Sequence, residues 1–151
     1  MSKENNGFLL NWIRGQTLYL AWVVSLVAVL GSLYFSEIAG YIPCELCWYQ
    51  RIFMYPLALL LGIASFRGST EIVPYTLPLS VIGGMISLYH YLQQKVPWLA
   101  QQTPCTQGVP CDRAYINWFG FITIPFLALI AFILITGFLW LAWKQQKKNE
   151  S

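Results

Sequence analysis

Between Phe119 and Trp143 the chain carries no charged side chain at all. A helix built from such a run is apolar on every side, so it must lie in lipid or in the core of a large protein. A chain of 151 residues offers no core of that size. The run also exceeds the roughly 20 residues that bridge a hydrocarbon layer of about 30 Å. Three further segments have comparable length: 17–35, 46–66 and 74–92. The second holds Arg51 and Pro56, and the third is also more polar than the outer two. Only 10% of the residues are charged, against about a quarter in soluble domains. That excludes an ordinary cytosolic enzyme, and a hydrophobic content of 57% excludes disorder. The net charge of +3 comes without a basic cluster interleaved with aromatics, so nucleic acid is not an expected partner. The sequence therefore predicts an all-α integral membrane protein. It forms one membrane domain over 1–151, a four-transmembrane-helix bundle in the lipid bilayer. The first span is expected to stay uncleaved. Its apolar run exceeds the 7–15 residues or so of a signal-peptide core, and no small-residue cleavage site follows.

Four spans put both termini on one side. Six lysines and arginines (Lys3, Arg14, Arg67, Lys144, Lys147, Lys148) fall on the side of the termini, against three (Arg51, Lys95, Arg113) on the other. The positive-inside rule makes both termini cytoplasmic. Trp12, Trp140 and Trp143 then mark the inner interface, and Trp48, Trp98 and Trp118 the outer one. Two outer loops result, 36–45 and 93–118. The second is interrupted by Pro97, Pro104, Gly108 and Pro110, which argues against a long helix in its middle.

All four cysteines, Cys44, Cys47, Cys105 and Cys111, fall at this outer face. Thiols used merely as small apolar groups would often lie within the spans. The extracytoplasmic side is where disulfides persist. Of three possible connectivities, Cys44–Cys47 with Cys105–Cys111 is the simplest, since each pair is local. A Cys-x-x-Cys disulfide closes so small a loop that it removes little chain entropy, which makes it a poor staple and a suitable redox centre. Cys44-Glu45-Leu46-Cys47 opens a predicted helix just after Pro43. The unpaired N–H groups there favour a thiolate, and Glu45 opposes it. The second pair lies in an exposed loop, suited to a partner protein or to a structural clip. A zinc site with all four cysteines as ligands is the alternative use, but five residues within the second pair is unusual spacing for zinc. No metal ligand is assigned.

Arg51 follows Cys47 by four residues and so shares its helix face one turn deeper. A charge inside a span costs at least about 2.5–3.5 kcal/mol, which makes it a functional candidate. It can stabilise a thiolate or the oxygen of a reduced cofactor, or it can snorkel to outer headgroups. His90, the only histidine, sits at the depth of the Cys-x-x-Cys. It can bind a cofactor carbonyl, move protons, or simply be solvated.

Three stretches carry a resemblance: Pro43 to Arg51 (PCELCWYQR), Tyr89 to Pro97 (YHYLQQKVP) and Pro110 to Pro125 (PCDRAYINWFGFITIP). Together they resemble the DsbB family of disulfide-bond formation proteins in its short, BdbC-like form. The likeness extends from Arg14 to Trp143. It implies a quinone-dependent thiol oxidase of the bacterial plasma membrane, with its cysteine loops on the extracytoplasmic side. The implied partner is an extracytoplasmic, DsbA-like thioredoxin-fold oxidoreductase, and the electron acceptor is a membrane quinone, menaquinone or ubiquinone. By position, Cys44 and Cys47 are the quinone-linked pair, with Cys47 nearest the quinone and Arg51 and His90 beside it. Cys105 and Cys111 face the partner. The partner attacks Cys105, and Cys111 then attacks Cys44. Longer family members place a membrane-surface helix between the second pair, and the five residues here leave no room for it. Vitamin K epoxide reductase-like enzymes use similar parts, but there the Cys-x-x-Cys follows the loop pair. The remaining alternative is a non-enzymatic membrane protein with two structural disulfides.

Overall fold

The computed structural model describes residues 2–102, 105, 108–111 and 114–151, apart from the side chains of 2–6, 10, 11, 13, 14 and 149. Pro104, Asp112 and Arg113, and the side chains of Lys3 and Arg14, thus lie outside the described residues. The described chain is helical: α1 (Ser2–Leu33) with a π-helical turn (Tyr34–Ile38), α2 (Glu45–Arg67), α3 (Val73–Lys95), a single turn α4 (Pro97–Ala100) and α5 (Ile124–Glu150). The four long helices form a ring in which α1 and α3 each pack on both α2 and α5. Short links join α1 to α2 and α2 to α3, which suits antiparallel neighbours. Gly68, with φ 63°, ends α2, and Ser69 N–H donates to the carbonyl of Ala64 at 3.1 Å. Only a residue without Cβ takes that backbone conformation at no cost.

Among the described residues, three helical segments are long and apolar enough to cross a membrane: Gly15–Ile38, Glu45–Arg67 and Ile124–Lys148. Helix α3 is as long as α2, but its buried positions include Thr76, Ser80, Ser87, His90 and Gln93. The polar groups face inward, while Val81, Ile82, Met85 and Leu88 face outward. This apolar exterior suits lipid rather than water. Inside, Leu18, Leu57, Leu61, Phe132, Ile135 and Leu139 make a close-packed core.

The α3–α5 contact is the most extensive. Ser80 Oγ and Thr136 Oγ1 hydrogen-bond at 2.8 Å, and Ser80 Oγ also donates to the carbonyl of Phe132 at 3.3 Å. Small and hydroxylated residues let helices approach this closely. A Cβ on Gly83 would stand 2.5 Å from Phe132 Cζ. Gly83→Ala is therefore expected to destabilise the bundle by about 1–3 kcal/mol through overpacking. Thermal unfolding in detergent should show a lowered midpoint, while Gly84→Ala, whose Cβ would meet only Phe132 Cβ at 3.4 Å, should be milder.

Two helix boundaries differ from those expected. Helix α1 begins well before the apolar run, because its polar N-terminal residues include no proline to interrupt it. The last helix starts at Ile124 rather than Phe119. Residues 118–122 form a tight turn, with Trp118 and Ile122 exchanging backbone hydrogen bonds of 3.0 and 2.9 Å. Phe119 (φ 54°) and Gly120 (φ 81°) both take left-handed conformations that no right-handed helix accepts. Lys95 fastens the turn to the end of α3 by donating to the carbonyl of Gly120. Pro125, in the first turn of α5, needs no N–H partner there.

Candidate functional site

Helix α2 places the first cysteine pair. Cys44 is its N-cap, in an extended conformation, and Cys47 lies in its first turn. The two sulfurs are 3.2 Å apart as free thiols. Cys105 and Cys111 form a disulfide, with Cα atoms 6.1 Å apart. This pairing removes two ligands from any four-cysteine zinc site. It joins a half-buried residue, Cys105, to a fully buried one, Cys111 at 0% exposure. Cys44, Leu46 and Cys111 form one buried cluster, against which Cys47, Cys105, Ile86 and Tyr89 pack. The fold thus gathers all four sulfurs within a single apolar patch at one end of the bundle.

His90, on α3, is 1% exposed and stands at the centre of this patch. Its Nε2 lies 3.6 Å from Cys44 Sγ and 3.1 Å from the carbonyl oxygen of Cys111. Its Nδ1 lies 3.1 Å from the amide nitrogen of Gln50, itself buried on α2. An amide nitrogen only donates, so Nδ1 accepts and Nε2 carries the proton. That N–H donates to the Cys111 carbonyl and has Cys44 sulfur as its second neighbour. The hydrogen bond with Cys47, helped by the bond with His90, holds the Cys44 thiol below the ordinary range, against burial, which pushes it up.

On the other side of Cys47 a cavity of about 470 Å³ opens between α1, α2 and α5. Helix α2 contributes Cys47, Gln50, Arg51 and Tyr55 to it, the stripe expected from helical spacing. Its other walls are mostly apolar and include Val24, Ala28, Ala131 and Phe132. Phe35, Tyr41 and Tyr115 line it as well; Tyr41 stacks on Tyr115 at 4.8 Å and on Phe35 at 6.1 Å. Arg51 Nε donates to Ser32 Oγ at 2.9 Å, and a terminal guanidinium nitrogen donates to the Ser32 carbonyl at 3.0 Å. Its guanidinium also lies 5.3 Å from the Trp48 ring. Both hydrogen-bond partners are neutral, so the charge remains available to an anion in the cavity.

The structure thus brings Cys47 and Arg51 to one cavity, as their spacing predicts. It places His90 elsewhere. His90 does not line this cavity but faces Cys44 and the loop disulfide. Sequence reasoning missed Gln50, Ser32 and Tyr55. Gln50 could have been noticed as an amide within a span, three residues from Cys47. Nothing in the sequence marks Ser32, whose role depends on how α1 meets α2.

A dithiol at a helix N-terminus, packed on a disulfide in a bundle with an apolar exterior, defines a membrane thiol–disulfide oxidoreductase. The model of the disulfide bond formation protein DsbB family matches residues 14–142. The chain is 66% identical to disulfide bond formation protein C of Bacillus subtilis (strain 168) over 122 residues, 81% of this chain and 88% of that one. It is 58% identical to probable disulfide formation protein C 1 of Bacillus anthracis, over 78% of this chain and 85% of the relative. A probable disulfide formation protein of Coxiella burnetii is 44% identical over 91% of this chain and 94% of its own length. No solved structure gives a significant match. The chain belongs to the DsbB family of disulfide bond formation proteins, as the three sequence stretches imply.

Proposed function

We propose that the chain is a four-span protein of the bacterial plasma membrane, one domain with both termini cytoplasmic. In this reading it reoxidises an extracytoplasmic, DsbA-like thioredoxin-fold dithiol protein and passes the electrons to a membrane quinone. One observation carries the reading: the four sulfurs meet in one patch that runs from a half-buried loop cysteine to the wall of a cavity. Cys105 is half-buried, Cys111 is fully buried against Cys44, and of the four cysteines only Cys47 lines the large cavity.

The cavity fits a quinone headgroup. Its volume lies in the range of small-molecule sites, about 300–1,000 Å³, and it combines apolar walls with few polar groups. Arg51 supplies a cation, and the Tyr55 hydroxyl is buried without a hydrogen-bond partner beside it. When bound there, a quinone supplies a sink for two electrons and two protons.

The chain's own residues perform thiol–disulfide exchange, which requires a thiolate and an accessible sulfur. A partner thiolate attacks Cys105, the more exposed sulfur of its disulfide, forming a mixed disulfide and freeing Cys111 as thiolate. The partner's second thiol attacks its own sulfur in that mixed disulfide, leaves oxidised and releases Cys105. The Cys111 thiolate attacks Cys44 of the oxidised Cys44–Cys47 pair and expels the Cys47 thiolate, on which Arg51 acts electrostatically. Cys105 then attacks Cys111, re-forming the loop disulfide and leaving Cys44 and Cys47 reduced. Closing the Cys44–Cys47 bond again gives up two electrons and two protons. Cys44 is the better attacking sulfur, because His90 and the Cys47 thiol both stabilise its thiolate.

His90 therefore acts at sulfur, and Gln50 positions it. Gln50→Leu removes the donor to Nδ1 and frees the ring to exchange tautomers. A lost hydrogen bond of about 1 kcal/mol predicts roughly fivefold slower transfer between the cysteine pairs. Nitrogen chemical shifts of His90 should change alongside, which a general loss of packing would not produce. Unchanged shifts with unchanged transfer would remove Gln50 from the site.

Oxygen-free turnover tests the whole reading. The purified chain, with its cysteines oxidised, is mixed with a quinone and a reduced thioredoxin-fold dithiol protein, and quinone absorbance is followed. Stoichiometric quinone reduction is expected. Its absence would refute the oxidase reading and leave two structural disulfides.

A further inference from the structure

The fold separates the four cysteines into unlike pairs, and it adds His90 to one of them. Cys44 Sγ, Cys47 Sγ and one His90 ring nitrogen all lie within 4.8 Å of one another. The individual separations are 3.2 Å between the sulfurs and 3.6 Å from Cys44 Sγ to Nε2. In a tetrahedral zinc site with ordinary bond lengths, two sulfurs stand about 3.8 Å apart and sulfur stands about 3.6 Å from nitrogen. The sulfur–nitrogen edge already has that length, and the sulfur–sulfur edge has to open by about half an ångström. Beside the three donors lies a second, small cavity of about 20 Å³, bordered also by Gln94, Pro110 and Tyr115. That is room for one ion or one water.

We propose that the reduced chain binds one thiophilic cation of the zinc class through Cys44, Cys47 and His90, and that the bound ion holds this pair reduced, as two thiolates. Two thiolates neutralise a divalent ion, which matters in so buried a place. Two sulfurs and one imidazole select zinc over magnesium or calcium, which prefer oxygen. Binding displaces the two thiol protons to solvent and changes no oxidation state. Oxidation to the disulfide removes both thiolates and so abolishes the site. Occupancy is thus gated by the redox state of the pair.

Gln50 fits the outer shell of such a site. When Nε2 binds the ion it gives up its bond to the Cys111 carbonyl, and the ring proton moves to Nδ1. Rotation of the Gln50 amide then presents its oxygen to that proton, the usual support for a metal-bound histidine. The same residue can therefore serve either tautomer.

The test uses the full chain in detergent, reduced and freed of reductant under anaerobic conditions, without quinone, so its outcome is independent of the oxidase reading. Zinc ion is added, the thiols are alkylated, and labelled cysteines are mapped by mass spectrometry. Zinc should lower the labelling of Cys44 and Cys47 at one equivalent per chain and leave the labelling of Cys105 and Cys111 as it is without zinc; magnesium should change none. Cobalt(II), as a coloured substitute, should give a thiolate charge-transfer band in the reduced chain and none in the oxidised one. Gln50→Leu should weaken zinc binding by about 10–100-fold. Bound zinc should also slow oxidation of the pair by diamide. Protection of all four cysteines, protection of none, or a cobalt band that survives Cys47→Ser would each overturn the assignment.

Discussion

Cys47→Ser should reduce quinone turnover to background, a loss of at least about a thousandfold, as expected when the group that carries the chemistry is removed. A serine hydroxyl cannot form or break a disulfide, and Cys47 is the one cysteine on the wall of the large cavity. In the proposed order of exchange, electrons that enter at Cys105 then have no exit. The variant should also stop at an identifiable covalent state. Cys44, left as a thiol, packs in one cluster with Cys111. It can attack the Cys105–Cys111 disulfide at Cys111, giving a Cys44–Cys111 bond and one free thiol at Cys105. Non-reducing peptide mapping reads that link directly. A Cys44–Cys105 link instead would reverse the proposed order of the loop cysteines. Turnover near that of the parent chain would exclude Cys47 from electron transfer altogether.

The parts of this site that follow helical periodicity were legible in the sequence. Cys44 and Cys47 share the first turn of α2, and Arg51 lies four residues beyond Cys47. Those spacings are local, so they survive whatever the bundle does. The membrane class was equally legible, because apolar runs of this length leave few other uses. What the sequence did not reveal is how the helices are rotated about their axes. His90 sits at the depth predicted for it, yet it faces Cys44 and Cys111 instead of the cavity. That rotation is set by α3 lying on α5 at Gly83 and Phe132 and by the Ser80–Thr136 hydrogen bond, contacts between residues about 50 apart in the chain. The polar groups that α3 buries there also explain why, among the four long helices, it lacks a stretch as apolar as those in the other three. The start of α5 differs from the expected one because hydrophobicity alone cannot distinguish an apolar turn from an apolar helix. Gly120 and Pro125 together bracket the true boundary.

Arg51→Ala should raise the KM for quinone by about 10–100-fold, and it should leave reduction of the loop disulfide by the partner protein unchanged. A hydrogen bond to a charged donor contributes about 1.5–3 kcal/mol, which sets the size of the effect. The split between the two half-reactions follows from position. Arg51 lines the cavity with Cys47, one helical turn from it, while Cys105 lies in the loop proposed to meet the partner. Its two hydrogen bonds to Ser32 make the effect specific, because they hold the guanidinium in place before any acceptor arrives. A prepositioned charge costs no reorganisation when negative charge develops, which is where such groups contribute most. Arg51→Lys should recover only part of the loss, since an ammonium lacks the rigid planar fork that bonds Ser32 from two separate nitrogens and faces the cavity as well. Ser32→Ala tests the same point from the other side. It keeps the charge and the carbonyl contact but loosens the guanidinium, and a rise in KM of a few-fold is expected. An arginine that merely snorkels to headgroups would give the opposite pattern. Quinone KM would be the same in all three variants, and any loss would appear as lower thermal stability instead.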